Sequence, residues 1–390
     1  MKQGYLRLGD VCEVQNGFAF DSKFFSTNKE SGMPLIRIRD ILKGHSCTYY
    51  TSSYQEEYIV HKGDFLIGMD GDFNIGQWQS EDALLNQRVC RLLPSDRIIP
   101  KFIFYFIPTA LQKINAETSY ATVKHLSSKQ IKEIIIPNIS LSEQQRIVAL
   151  LDAEFAKIDA LKANAEKNLQ NAKDLFQAAL KKELEPKEGW KTKKVDDVSI
   201  LITKGASPKW QGIEYVKDNG ILFITSENVR EGYLLLSPMK YVESKFNQKQ
   251  KRSVLKKNDV LVNIVGASIG RAAVFDMDID NANINQAVAL VRCNQEEILP
   301  KYLCLFLNSS IANDMYGLMK KDTARANLSL ENISDITLPV PSLKDQDCLI
   351  DLLDELDDKC KLLQANYEKT LSLCDDLKQA LLRKAFNGEI

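Results

Sequence analysis

Two segments of the chain have nearly the same pattern: LSSKQIKEIIIPNISLSEQQRIVALLD at 126–152 and LSLENISDITLPVPSLKDQDCLIDLLD at 328–354. IIPKFIFYFI at 98–107 returns in the same way as ILPKYLCLFL at 298–307. A spacing of about 200 residues is much longer than the repeat of a solenoid, so it indicates two whole domains rather than stacked helical pairs. The chain is therefore expected to run as module, long helix, module, long helix.

Shorter matches extend the repeat over most of the sequence. They pair LGDVCEVQNG (8–17) with VDDVSILITKG (195–205), KGDFLIGMDGDFNIG (62–76) with KNDVLVNIVGASIG (257–270), NQRV (86–89) with NQAV (285–288), and FQAALKKEL (176–184) with KQALLRKAF (378–386). The predicted boundaries are a first module at 1–140, a helical segment at 141–185, a second module at 186–342 and a second helical segment at 343–390.

Composition is that of an ordinary globular protein. The 390 residues are 44% hydrophobic and 26% charged, with a net charge of −1, which is enough for two or three domains with real cores. No apolar run approaches the ~20 residues needed to span a bilayer. The start, MKQGYLRLGD, lacks the apolar stretch of a signal peptide. We therefore expect a cytoplasmic protein.

Cysteine and histidine usage gives no metal site. The eight cysteines are scattered without a Cys-x-x-Cys pair, and the three histidines, His45, His61 and His125, are dispersed. Buried free thiols and ordinary core or surface histidines are the expected roles.

Each helical segment has an apolar stripe at heptad spacing. In the second segment the two rows are Leu349, Leu356, Leu363, Thr370, Leu377 and Leu353, Cys360, Tyr367, Cys374, Leu381; an offset of 202 gives Ile147, Glu154, Leu161, Asn168, Leu175 and Leu151, Ile158, Ala165, Ala172, Ala179 in the first. A stripe of this length needs a partner, and the other helix is the simplest one. We predict an antiparallel coiled coil, roughly 60 Å long, which would act as a ruler between the modules. The alternative is that each stripe packs on its own module.

The modules themselves are predicted to be mixed α/β. LIRIRDI (35–41), DFLIGM (64–69), ILFITSENV (221–229), DVLVNIV (259–265) and AVALVRC (287–293) have the composition of strands. PKFIFYFIPTALQKI and PKYLCLFLNSSIANDMY are predicted helices opened by proline.

The duplicated order resembles the specificity subunit of type I restriction-modification systems over essentially the whole chain. The resemblance rests on the IPKYL-like helix, the Leu-Pro strand before Ser-Leu-x-x-Gln, and the closing LLRKAFNGEI. It implies two target recognition domains, each a small curved sheet with peripheral helices. It also implies a non-catalytic subunit that binds a bipartite, asymmetric DNA sequence and holds two methyltransferase subunits on its helices, with restriction subunits joining. Adenosylmethionine and ATP would then belong to the partner subunits.

A search for active-site motifs supports a role without catalysis. The sequence has no Asn-Pro-Pro-aromatic or Asp-Pro-Pro-Tyr motif for amino methylation and no phosphate-binding Gly-x-x-x-x-Gly-Lys-Ser/Thr loop, so no catalytic residue, metal or cofactor is assigned. Three classes remain: a DNA-recognition scaffold, a coiled-coil adaptor without nucleic acid, and a stand-alone DNA-modifying enzyme. The motif search argues against the enzyme, and the divergent polar loops of the modules argue against the adaptor.

Sequence readers are expected in loops at strand ends, where donors and acceptors reach a groove. The candidate DNA-binding residues in the first module are Arg37, Arg39, Lys43, Thr122, Lys124 and His125. Those at equivalent places in the second module are Thr225, Ser226, Asn228, Arg230, Lys320, Lys321, Thr323, Arg325 and Asn327. Each loop is alternatively only a solvated surface, and a lysine is more often a phosphate contact than a base contact. The chemical difference between equivalent loops is what two different half-sites require.

Overall fold

The computed structural model describes residues 4–117, 124–279, 281–321 and 327–390. The chain forms two compact units, one of residues 1–165 with 369–390 and the other of residues 166–368. Each unit contains one module together with a part of both long helices.

The first unit begins with a β-rich module that leads into a long helix. Its elements are β1 (Gly4–Arg7), β2 (Cys12–Asn16), β3 (Phe25–Ser26), β4 (Met33–Ile36), β5 (Tyr49–Tyr50), β6 (Ile59–Val60), β7 (Phe65–Gly68), β8 (Ile75–Gln77), β9 (Ala83–Leu85), β10 (Val89–Pro94), α1 (Pro100–Glu117), α2 (Ser128–Lys132), β11 (Ile135–Asn138) and the long helix α3 (Leu141–Leu184).

The second module follows the same order, except that a short helix takes the place of β6 and two helices take the place of α1. Its elements are β12 (Lys191–Lys194), β13 (Ser199–Lys204), β14 (Tyr215–Val216), β15 (Ile221–Ile224), β16 (Tyr241–Val242), α4 (Lys245–Lys249), β17 (Asp259–Asn263), β18 (Ala272–Phe275), β19 (Ala282–Ile284), β20 (Val288–Cys293), α5 (Pro300–Leu307), α6 (Ser310–Lys321), α7 (Leu330–Ser334), β21 (Thr337–Val340) and the long helix α8 (Leu343–Phe386).

The sheets of the two modules have matching topologies. The antiparallel sheet β2-β10-β7-β8 corresponds to β13-β20-β17-β18, and the mixed sheet β3-β5-β4-β9-β6 corresponds to β14-β16-β15-β19. Each mixed sheet contains one parallel pair, β4 with β9 and β15 with β19. The pairs β1·β11 and β12·β21 bring the start of each module beside the strand that enters the long helix. The two modules therefore share one frame.

The central strands are buried on both faces because they lie between two cores. In β17, Val260 and Val262 belong to the core that contains the helices of the module, whereas Leu261 between them belongs to a second core under the mixed sheet. Side chains alternate along a strand, so a continuous apolar run such as DVLVNIV fits a strand that is covered on both sides. β7 divides its side chains in the same way.

A buried glutamine joins each module to its long helix. The Gln144 side chain accepts a hydrogen bond from the Ile99 backbone N–H at 2.8 Å and donates to the Ile139 carbonyl at 3.1 Å. Gln346 makes the same bond to Leu299 at 2.8 Å and donates to the carbonyl of Pro341 at 3.0 Å. These are the glutamines of the Ser-Leu-x-x-Gln motif. The motif thus fixes the start of a module helix against the start of a long helix.

The long helices pair antiparallel within each unit. In the first unit Lys162 Nζ lies 2.8 Å from Asp375 Oδ1, and Lys378 Nζ lies 2.5 Å from Asp159 Oδ1, so residue numbers rise on one helix as they fall on the other. In the second unit the end of α3, at Leu180 and Leu184, shares a core with the start of α8. The predicted architecture of mixed α/β modules with paired long helices is confirmed.

The buried face of the helix pair differs from the predicted heptad rows. Leu151, Ile158, Leu349 and Leu353 are buried, Leu356 and Leu381 are half-buried, and Leu161, Leu175, Leu363 and Leu377 are 40–55% exposed. The prediction used a strict period of 3.5 residues, whereas a straight helix turns every 3.6 residues and drifts by ~20° per heptad. One predicted row is buried at the start of each helix, at Ile147 and Leu349, and turns outward further along. There the residues that follow its leucines are half-buried instead: Lys162, Phe176, Gln364 and Lys378.

The predicted strands and helices exist, but three boundaries differ. ILFITSENV forms a strand only at Ile221–Ile224. LIRIRDI forms a strand only to Ile36 and then a turn of 3-10 helix at Ile38–Asp40. The helix from Pro300 ends at Leu307, and α6 begins at Ser310. Asn308 donates to the carbonyls of Cys304 and Ala272, at 2.9 and 2.8 Å, and such competition with the backbone ends helices. In the described part of the chain, no helix is long and apolar enough to cross a membrane.

Candidate nucleic-acid interface

A cleft of about 440 Å³ in the first module is lined by basic and amide side chains together with Phe20, Phe25 and Ile38. It brings Arg37 and Arg39, which follow β4, next to Gln87 and Arg88, which precede β10. All four are exposed, with 61% of the Arg39 side chain and 54% of the Arg88 side chain accessible to solvent. Two of the predicted binding residues are thus brought together with two that were not predicted.

The turn that carries Arg37 and Arg39 is held by a buried carboxylate. Asp40 is 4% exposed, and its Oδ2 accepts a hydrogen bond from the Arg37 backbone N–H at 3.0 Å. The Ser46 hydroxyl donates to the same oxygen at 3.2 Å. These bonds fix the backbone of the turn, and Arg39 Nε lies 3.9 Å from Asp40 Oδ1.

The turn that carries Gln87 and Arg88 is equally well fixed. Gln87 N–H donates to the Phe18 carbonyl at 2.7 Å. A Cβ on Gly17 would lie 2.0 Å from the Asn86 carbonyl oxygen, so this backbone approach requires glycine. Arg88 has φ of +72°, a conformation that non-glycine residues seldom adopt and that often occurs at functional sites.

An ionic cluster connects this turn to the loop before α2. Asp70 Oδ1 lies 2.7 Å from His125 Nδ1, and Asp70 Oδ2 lies 3.6 Å from Arg88 Nε. Arg88 Nη1 is also 3.2 Å from His125 Nδ1. His125, predicted as a binding residue, therefore lies against the cleft arginine, and Asp70 orients both side chains.

The remaining predictions in the first module have varied outcomes. Lys43 is exposed. Lys124 is half-buried, and its Nζ donates to Asn115 Oδ1 at 2.6 Å, which ties the loop to α1. Thr122 lies outside the described residues.

In the second module, Thr225 and Asn228 are structural rather than exposed to a ligand. Both are 6% exposed. Asn228 Oδ1 accepts from the Thr225 backbone N–H and hydroxyl at 2.8 and 2.9 Å, and its Nδ2 donates to the Leu235 carbonyl at 2.9 Å. Their polar atoms close the turn after β15, so we do not retain them as base readers. Ser226 between them is half-buried, and its carbonyl accepts from Asn263.

Arg230 lies in a different cleft from the one that its sequence position suggested. It lines a space of about 660 Å³ between the second module and the helix pair of its own unit, together with Arg271, Lys301 and Asp354. Arg271 Nε is 3.5 Å from Glu231 Oε1. Arg230 is thus near the helices rather than at the end of β15.

The loop before α7 is described only in part. Lys320 and Lys321 end α6, but their side chains lie outside the described part of the chain, as do Thr323 and Arg325 as a whole. Asn327 is exposed. Leu328 N–H donates to the Ile264 carbonyl at 3.0 Å, as Leu126 does to Met69 at 2.7 Å, so the two loops end at equivalent places.

The chemistry at the equivalent cleft positions differs between the modules. Where the first has Arg37, Arg39 and Arg88, the second has Thr225, Glu227 and Ala287. The exposed glutamine is kept, as Gln87 and Gln286, and so is the asparagine before it, as Asn86 and Asn285. Arginine reads guanine through two hydrogen bonds and glutamine reads adenine in the same manner. The two modules therefore present different side chains at equivalent positions, three guanidinium groups in the first and one carboxylate in the second, beside the glutamine that both share.

Sequence reasoning missed Gln87 and Arg88, although the signal was present. NQRV and NQAV align without a gap and differ only at Arg88 and Ala287. A charged residue in one module and alanine in the other, inside a matched segment, is the same kind of difference between the repeats that indicated the other loops. The close match of the two segments indicated a shared frame and drew attention away from the one position that differs.

A second pair of equivalent clefts lies where each module meets the helix pair of its own unit. In the first unit the cleft has about 650 Å³, and Lys101 Nζ lies 2.6 Å from Asp152 Oδ1. In the second unit Lys301 Nζ lies 3.0 Å from Asp354 Oδ1. Tyr105 donates to Asp152, and burial together with this carboxylate raises the pKa of Tyr105 above its usual range. These clefts contain no group of His, Cys, Asp and Glu that could hold a metal ion, and neither does any other part of the described residues.

Comparison with known proteins gives one family over both halves of the chain. The family described as type I restriction modification DNA specificity domain matches residues 4–171 and 187–371. The specificity subunit of the type I restriction enzyme EcoBI of Escherichia coli is 35% identical, over 99% of this chain and 85% of that protein. The MjaVIII specificity subunit of Methanocaldococcus jannaschii is 22% identical, over 86% of this chain and 81% of that protein.

Solved structures have the same fold. A chain from structural work on complex assembly and conformational transition of a type I restriction-modification system superimposes with a TM-score of 0.74 and 18% identity, over 100% of this chain and 98% of that chain. The HsdS subunit of Thermoanaerobacter tengcongensis superimposes with a TM-score of 0.57 and 18% identity, over 100% and 97%. With its duplicated modules and paired helices, the chain belongs to the family of type I restriction-modification DNA specificity subunits.

Proposed function

We propose that each module reads one half of a bipartite, asymmetric DNA sequence, and that the two half-sites differ because the modules present different side chains at equivalent places. The observation that carries this proposal is the lapse of the repeat at the cleft, where Arg37, Arg39 and Arg88 are replaced by Thr225, Glu227 and Ala287 in an otherwise matching frame. A symmetric target would require no such difference. Recognition of the DNA sequence requires binding alone, so the proposal assigns no catalytic residue to this chain.

We propose further that the chain holds two methyltransferase subunits, with restriction subunits joining the complex. The exposed leucines of the helix pair support this. Leu161 and Leu377 lie between the two ion pairs of the first unit, and the repeat relates them to Leu363 and Leu175 of the second unit. Apolar surface that recurs at equivalent places is suited to two copies of one partner.

Adenosylmethionine and ATP are assigned by this proposal to the partner subunits. The absence of methylation and ATP-binding motifs from the sequence supports that division of labour. The chain would contribute only the choice of the target and the frame on which the partners assemble.

The test is to map N6-methyladenine across the genome that carries this gene, before and after its deletion. We expect a bipartite motif of two defined half-sites to lose methylation completely and to regain it when the gene is restored. A methylome that does not change on deletion, while the partner subunits are active, would contradict the proposal. Restoring the gene in a strain that lacks the methyltransferase subunit is the matched control, and it should leave the motif unmethylated.

A further inference from the structure

The second module displays a tryptophan almost completely to solvent. Trp210 is 82% exposed, whereas Trp78 is 1% exposed and Trp190 is half-buried. Leaving a large aromatic ring in water forgoes roughly 1.5–3 kcal/mol of burial free energy, and tryptophan is usually found exposed where it meets a partner. The neighbouring Lys209 and Lys204 are also exposed.

The backbone under Trp210 is held tightly, so its ring is presented by a fixed turn. Gln211 and Ile213 donate to the Pro208 carbonyl at 2.9 and 3.0 Å. Gly212 has φ of +64°, which closes the turn in a conformation suited to glycine. Lys249 Nζ donates to the Gln211 carbonyl at 2.6 Å. Ile213 is 3% exposed and anchors the loop in a small core with Phe223 and Phe246.

The loop with Trp210 is attached to the turn that carries the candidate reader Gln286. A Cβ on Gly205 would lie 1.8 Å from the Ile284 carbonyl oxygen, so the two backbones are in close contact. Gly205 N–H also approaches the Val288 carbonyl, at 3.4 Å. The loop therefore starts at the same turn as the exposed glutamine.

The equivalent loop of the first module borders the arginine cleft. The 3-10 turn Ser22–Phe24 precedes β3 as the turn Lys209–Gln211 precedes β14, and Ser22 and Phe25 line the cleft with Arg37 and Arg88. The shared frame thus relates the turn of Trp210 to a turn that borders the arginine cleft of the first module. At the positions of the cleft arginines the second module has Thr225, Glu227 and Ala287, and on the related turn it has Lys209 and Trp210.

We propose that Trp210 stacks on a base or inserts between base pairs of the half-site bound by the second module. The inference rests on the proposed function. It adds a contact that depends on base stacking and on how easily the DNA is deformed, rather than on hydrogen bonds to base edges. Lysines favour a polyanion over an apolar protein surface, and aromatic rings stack on bases or act as wedges between steps. Residues 203–217 contain three lysines and one glutamate, which fits DNA better than a methyltransferase docking site.

The experiment uses the full chain in complex with its methyltransferase subunits, and a duplex that the wild-type complex selects from a random-sequence pool. We expect W210A to bind that duplex about tenfold more weakly and W210F to bind within a few-fold of the wild type, because it keeps a ring. The difference in tryptophan fluorescence between the wild-type and W210F complexes is the emission of Trp210. The duplex should quench this emission. I200A is the matched control. Ile200 is also an exposed apolar residue, at 67%, but it lies near the start of β13, whereas the loop with Trp210 follows the end of that strand.

The outcomes separate this inference from the function on which it rests. Unchanged duplex binding by W210A, or unquenched Trp210 emission, would overturn the stacking contact while the selected motif stands. Weaker association of W210A with the methyltransferase at unchanged DNA affinity would assign Trp210 to protein docking and overturn it as well. A wild-type complex that selects no bipartite motif would overturn both proposals. Equal thermal unfolding of all variants excludes a folding defect.

Discussion

Arg88 occupies a left-handed turn that would suit glycine, and it lies beside Arg37, Arg39 and Gln87 with an ionic contact to Asp70. Such a conformation is kept only where the surroundings enforce it. Here the surroundings are the Gly17 contact and the Phe18 carbonyl. These contacts fix the backbone of Arg88, and the contact with Asp70 orients its guanidinium, an arrangement suited to recognition of a base edge.

Replacing Arg88 by alanine should relax discrimination in the half-site of the first module by about 1–3 kcal/mol, the usual value of a bidentate arginine contact. Arg37→Ala should have an effect of the same kind. Discrimination in the other half-site should not change, because its readers are in the second module. The measurement is competition binding with duplexes that carry single base changes in either half-site.

Arg7→Ala is the matched control for Arg88→Ala, because Arg7 is an exposed arginine on β1 and does not line the cleft. If Arg88→Ala weakens binding equally to all duplexes, the residue contacts phosphate rather than a base, and a smaller dependence of affinity on salt would accompany that result. Unchanged binding to every duplex would remove Arg88 from the interface.

At the residue scale, the sequence showed which loops differ between the modules, but not which of their side chains are exposed. Arg37 and Arg39 do line the cleft, but Thr225 and Asn228 are consumed by hydrogen bonds within their own turn. Short polar side chains often bond to the nearby backbone, and a sequence does not tell whether they do so or face solvent. The longer side chains of Arg37 and Arg39 extend past their own turn and remain exposed at the cleft.

At the element scale, the long helices were predictable because an apolar stripe of this length and regularity is stable in water only when another surface covers it. Their exact buried face was not predictable, because a drift of ~20° per heptad accumulates to a different row within two repeats. The drift also determines which side chains face solvent. Leucines that leave the seam remain exposed, and Leu363 and Leu353 on the same helix have opposite environments.

Leu353→Ala should lower the free energy of unfolding by about 2–5 kcal/mol, because Leu353 is fully buried in the core that α8 shares with the module. Leu363→Ala should change it by less than about 0.5 kcal/mol, because Leu363 is 40% exposed. Urea unfolding of the two variants measures the difference. The second variant should instead weaken association with the methyltransferase, and equal destabilisation by both would show that Leu363 packs in the seam.

At the scale of the whole molecule, the two halves share side-chain contacts as well as sequence. Gln144 and Gln346 make the same hydrogen bond to the start of a module helix. The equivalent aspartates Asp64 and Asp259 each pair with an arginine of the neighbouring central strand, Arg91 at 3.1 Å and Arg292 at 2.7 Å, although the two arginines stand two residues apart in the strand register. Because the joints between module and helix are alike, one module should fit the place of the other.

A chain in which residues 186–342 are replaced by a second copy of residues 1–140 should therefore fold and should direct methylation to a motif with the first half-site on both sides. The joints at Leu141 and Leu343 are preserved by this exchange, since each long helix keeps its own glutamine. Methylome mapping in a strain without the natural gene measures the outcome, and the reciprocal chain with two second modules is the control that should give the other half-site twice. A motif that still contains the second half-site after the exchange would mean that sequence is read outside the modules, by the helices or by a partner subunit, and the cleft residues would then have only a positioning role.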